Sequence, residues 1–69
     1  METYEYINVV NIPDLLGIHE DVASSEMTNK DIEFCRWDED IATVKVIFAE
    51  ALSPEDLTIL DGIVASNCS

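Results

Sequence analysis

The side chains able to do chemistry are few and scattered. His19 is the single histidine, and Cys35 and Cys68 are the only cysteines. A general base needs a nucleophile or an orienting group within hydrogen-bond reach. Glu20 and Asp21, next to His19 in sequence, project elsewhere on a helix, so His19 reads as helix surface. A Cys-His nucleophile pair through either cysteine has no local motif behind it. Two cysteines and one histidine at unrelated spacings match no zinc pattern. The run Asp38-Glu39-Asp40 offers the oxygen ligands that calcium takes, but it lacks the alternating spacing and central glycine of a calcium loop. It reads as a solvated turn. With Gly17 and Gly62 the only glycines, no glycine-rich phosphate loop exists. The expectation is a chain with no catalytic, cofactor or metal site, a non-enzyme that works by touching other proteins.

Charge narrows the partners. Fifteen carboxylates face three basic residues, Lys30, Arg36 and Lys45, for a net charge of -12. All three cations lie in the middle third, and residues 1–29 and 46–69 carry acids only. Nucleic-acid binding depends on neutralising phosphates with Lys and Arg, so this balance excludes it as the expected role. Anionic membrane surfaces are disfavoured on the same ground. No apolar stretch approaches the roughly 20 residues that span a bilayer, and Met1-Glu2-Thr3-Tyr4-Glu5 lacks the basic and apolar regions of a signal peptide. The expectation is a soluble protein. A bridge between Cys35 and Cys68 stays open, with reduced cysteines acting as small hydrophobes the simpler reading.

The elements that would position these residues are more legible. Sixty-nine residues make one domain, and the apolar share of 48 % is too high for a disordered acidic tail. A core this small is worth only a few kcal/mol. Residues 3–10, rich in aromatic and β-branched types, predict a first strand. Asn11-Ile12-Pro13-Asp14 then starts a helix to about residue 24, with Asn11 or Ile12 as its cap, Pro13 in the first turn and Asp14 near the positive end of the dipole. Its stripe is Leu15, Ile18 or His19, and Val22, with Ile12, Leu16 and Ala23 alongside. Gly17 weakens this helix by up to about 1 kcal/mol. Residues 24–30 read as a polar loop.

Asp31 to Trp37 alternates, with Ile32 and Phe34 on one face and Glu33, Cys35 and Trp37 on the other. After the acidic turn, Ile41 to Phe48 alternates again, with Ala42, Val44, Val46 and Phe48 sharing a face, which predicts a β-hairpin. Ser53-Pro54-Glu55-Asp56 supplies a serine cap, a proline at the first helical position and acids in the first turn. Leu52 and Leu57 form a hydrophobic staple around that cap. Leu57, Leu60, Ile63 and Val64 make one apolar stripe in a helix from about 54 to 66.

The order β-α-β-β-α predicts an α+β two-layer sandwich, a three-stranded antiparallel sheet of order 1-3-2 with both helices on one face. The other face and the outer edge of the first strand are then left bare, which suits a contact with another subunit. Tyr4, Tyr6, Trp37 and Ile47 are the expected contacts on that open side, with Arg36 and Lys45 as rim charges; the equal alternative is that the rings fold over the rim of the core.

Residues 43–67 resemble the C-terminal half of a group of very small tailed-bacteriophage proteins associated with the virion. There, a strand ending in Phe precedes a Leu-Ser/Thr cap, an acidic first turn and a Leu-Asp-x-Ile-Val-Ala stripe. The match falls on Val46, Phe48, Leu52, Ser53, Leu60, Asp61, Ile63, Val64 and Ala65. Ser66-Asn67 stands where members often close with a histidine. The resemblance implies a capsid decoration or cement subunit, or a small head or tail component, assembled in the bacterial cytoplasm and located in the virion. Its partners would be capsid or tail subunits or further copies of itself. The competing expectation is an acidic inhibitor that imitates DNA to a host DNA-processing or defence enzyme. It would need a one-sided stripe of acids, whereas here they are scattered.

Overall fold

A computed structural model describes residues 1–68 and bears out the predicted order and topology. The elements are β1 (Glu2–Tyr6), α1 (Leu15–Ser24), β2 (Ile32–Asp38), a short 3-10 turn (Glu39–Ile41), β3 (Thr43–Phe48) and α2 (Pro54–Asn67). The sheet has order β1-β3-β2, with both pairings antiparallel. Val44, Val46 and Phe48 of the central strand pack against Ile18 and Val22 of α1 and Leu60 and Val64 of α2. Both helices thus cover one side of the sheet.

β1 is shorter than the apolar run suggested. Asn8 adopts φ 60, a left-handed conformation that ends extended structure. Val9 then donates its N–H to the Ala42 carbonyl at 3.0 Å and packs on the core. Ile7, Val10 and Ile12 are left exposed. The helix start also differs. Asp14, not Asn11 or Ile12, caps α1, its Oδ1 accepting from the Gly17 N–H at 2.9 Å, so Pro13 precedes the cap. A short carboxylate beside the free N–H groups of the first turn satisfies a donor that neither Ile12 nor a more distant Asn11 could reach.

Gly17 has a packing reason. A Cβ there would clash with Asn67 Oδ1. At this crossing Asn67 binds α1 from the end of α2: its carbonyl accepts from Asp14 N–H at 2.9 Å and its side chain donates to Asp21 Oδ2 at 2.9 Å.

The second helix follows its signals closely. Ser53 Oγ accepts from Asp56 N–H at 3.2 Å, and Leu60 and Val64 are buried with Leu57 and Ile63 partly so. The loop before β2 is more structured than its polar composition suggested. Met27 is buried in the core, and Thr28 and Asn29 donate backbone N–H groups to the two oxygens of Asp56 at 2.9 and 3.0 Å. Asp56 is 3 % exposed, so this carboxylate fastens the loop to the first turn of α2 rather than decorating a surface.

Two irregularities reset the hairpin. Ile32 pairs with Phe48 and Phe34 with Ile47, a bulge that leaves Glu33 as the extra residue. Ile32 therefore joins the core side while Phe34 turns to the other, which corrects the shared face expected for them. Ile41 sits in the 3-10 turn and Ala42 takes φ 49, so β3 begins at Thr43 and not at Ile41.

Candidate protein-contact site

Cross-strand partners in an antiparallel sheet share a face, so the register assigns every sheet side chain to a side. Tyr4 lies opposite Val46 and Tyr6 opposite Val44, while Trp37 also lies opposite Val44 and Cys35 opposite Val46. These four residues are on the helix side and pack against the core. The expectation that Tyr4, Tyr6 and Trp37 project onto the open side is thereby corrected. The physical reason is amphipathic. Each ring rests on apolar neighbours, and the tyrosine hydroxyls reach polar groups of α2 and of the loop before it. Tyr4 packs edge-on against Phe48, with centroids 6.0 Å apart, and its hydroxyl accepts from Leu52 N–H at 2.7 Å. Tyr6 donates its hydroxyl to Asp61 Oδ1 at 2.7 Å.

Ile47, Lys45 and Arg36 do lie on the open side. Ile47 is flanked in register by Thr3 on β1 and Phe34 on β2, and Lys45 by Glu5 and Arg36. Phe34 is the residue that sequence reasoning missed. It is 47 % exposed, and beside it Ile47 is only 5 % exposed, shielded within the central strand. The apolar centre of this face is therefore mainly the Phe34 ring. Lys45 approaches Glu5 Oε1 at 3.7 Å, an exposed pair worth at most about 1 kcal/mol. Arg36 is exposed beside it. Two of the chain's three cations thus meet at the centre of one face of an otherwise acidic protein.

The edges of the sheet differ from its open side. β1 and β2 each pair only with β3 among the described residues, so both present an unpaired edge. Glu2 and Glu5 on β1 and Glu33 on β2 place charges there, a common guard against edge-to-edge pairing.

The groups considered for chemistry do not converge. His19 lies on α1, partly buried. Cys35 and Cys68 are free thiols. Burial pushes the Cys35 thiol up to about 11 and raises that of Cys68 as well, which opposes thiolate formation at neutral pH. Burial, and then the hydrogen bond to Asp61, raises the Tyr6 phenol above its ordinary range. Among the described residues, no group of three or more His, Cys, Asp or Glu side chains could hold a metal ion, and no helix is long and apolar enough to cross a membrane.

A concavity lies on the helix side. The loop after β1 and the outer part of α2 enclose an open cleft of about 640 Å³, with Val9, Val10, Val64 and Ala65 among its apolar walls and the Tyr6–Asp61 hydrogen bond in its polar part. Comparison of the chain with protein-family models, with curated proteins and with solved structures gives no match.

Proposed function

We propose that this chain is a non-enzymatic structural subunit of a bacteriophage particle, acting by docking the open side of its sheet onto neighbouring protein subunits. The observation that carries the reading is the arrangement of that side. A half-exposed Phe34 lies beside Ile47, with Arg36 and Lys45 adjacent, and both helices lie on the opposite face. An apolar centre with a charged rim is the usual anatomy of a protein interface. Arg and a large aromatic are also the residue types that most often dominate binding energy. Because the rest of the chain is strongly acidic, this is also the surface that repels an acidic neighbour least.

The phage assignment is supported by the resemblance of residues 43–67. Small size supports it too, since a core of this extent gains stability when a partner covers exposed surface. The capsid, head or tail subunits that would serve as partners present large repeated surfaces, on which a modest patch gains from multiplicity. Quantitative mass spectrometry of purified particles tests the reading. Many copies per particle are expected. Abundant expression in infected cells with none in the particle would contradict it and favour the soluble-inhibitor alternative.

A further inference from the structure

The cleft between the β1–α1 loop and α2 lies on the other side of the molecule from the docking face, and its chemistry is different. Among the described residues, Asp61 is the one charged side chain lining it. Oδ1 of that carboxylate accepts from the Tyr6 hydroxyl, and Asp61 is exposed to solvent. Val9, Val10, Val64 and Ala65 line an apolar path beside it, with Val10 91 % exposed on the loop.

We propose that this cleft receives a lysine or arginine side chain presented by a partner protein, the aliphatic stem lying along the valines and the cationic head pairing with Asp61. Three features select this occupant. A long basic side chain is apolar along its stem and charged at its tip, which matches the order of the walls. No cation among the described residues lines the cleft, so the Asp61 charge is unopposed there. A net charge of -12 attracts basic partners and steers their approach. Tyr6 contributes by holding the carboxylate in place through its hydroxyl, which donates to Oδ1 at 2.7 Å. An acidic or phosphorylated partner would be repelled from the same site.

The test uses the whole 69-residue chain and two peptides, acetyl-Gly-Leu-Arg-Leu-Gly-amide and its citrulline counterpart, which keeps the shape and removes the charge. At low ionic strength, calorimetry should give the arginine peptide roughly tenfold tighter binding than the citrulline peptide. Asp61→Asn, which retains an acceptor for Tyr6, should bring that ratio close to one, while Glu55→Gln, an exposed change outside the cleft, should leave it unaltered. A second readout needs no variant. Cys68 lines the cleft and Cys35 does not, so the arginine peptide should slow alkylation of Cys68 selectively. Equal affinity for the two peptides, no binding of either, or an arginine preference that survives Asp61→Asn would overturn the proposal, as would unprotected Cys68 in the wild-type complex.

Discussion

On β3, the side chains facing the helices, Val44, Val46 and Phe48, are completely buried. Those facing away, Lys45 and Ile47, are flanked by Thr3, Glu5, Phe34 and Arg36 on the neighbouring strands. One strand thus serves two purposes. Its helix side is held by packing that tolerates little change. Its open side is mixed: Ile47 is shielded by its neighbours, whereas Lys45 and the adjacent Phe34 reach solvent. The same contrast separates the carboxylates. Asp56, buried on the helix side, uses both oxygens internally, whereas Glu5 on the open side makes one long ion pair with Lys45.

The largest expected effect comes from the two phenylalanines. Phe48→Ala should cost about 3–5 kcal/mol, because a buried ring is lost and its cavity relaxes only in part. That is a large share of a small domain's total stability. Phe34→Ala should cost less than about 1 kcal/mol in the free protein. Urea titration followed by Trp37 fluorescence measures both. Similar losses from the two substitutions would show that the open side contributes as much to the fold as the closed one.

The carboxylates give the next contrast. Asp56→Ala strands two backbone donors beneath the loop and should cost about 2–3 kcal/mol. Glu5→Ala breaks only an exposed pair and should cost at most about 1 kcal/mol. Chemical denaturation at neutral pH reads the difference. Equal costs would mean that the anchoring of Thr28 and Asn29 contributes nothing to stability.

A smaller effect distinguishes the sides by pH. Cys35 is on the helix side with its thiol raised to about 11 from an ordinary 9.0. The unfolded chain therefore loses this proton first, so the contribution is fully present below about pH 9 and is lost as the pH rises through about 11. Tyr6, raised from 10.0, acts in the same direction at higher pH. Urea midpoints measured from about pH 8 to 11 should fall, and Cys35→Ala should flatten the decline between about 9 and 11. A decline that Cys35→Ala leaves unchanged would assign it to other groups.

How much of this is legible in the sequence varies with the kind of signal. Topology is, because two period-two runs and a serine-proline cap leave few ways to assemble the chain. The residues that resemble the phage group are mostly explained by this fold: Val46, Phe48, Leu52, Leu60 and Val64 are core, and Ser53 is the cap. Facial assignment is harder. Alternation separates the two faces of a strand without saying which is inside. Neighbours such as Arg36 and Trp37 necessarily face opposite ways, and the charges Glu5, Arg36 and Lys45 mark the solvent side. Followed consistently, that rule sends Tyr4, Tyr6 and Trp37 inward and Phe34 outward. The bulge at Glu33 and the left-handed Ala42 carry no comparable signal, and the left-handed Asn8 carries only the mild one that asparagine adopts this conformation more readily than most residues. Asp56 looks like any acid of a first helical turn, and its burial depends on a loop that approaches from 27 residues away.

The most direct test of the docking account is competition for incorporation. Cells producing particles would express wild-type chain and Phe34→Glu in equal amounts, and mass spectrometry would compare their ratio in the lysate with that in purified particles. The account predicts that the folded variant is depleted at least about tenfold, because a charge would be buried in the apolar centre of the contact. Equal incorporation of the two chains would contradict it.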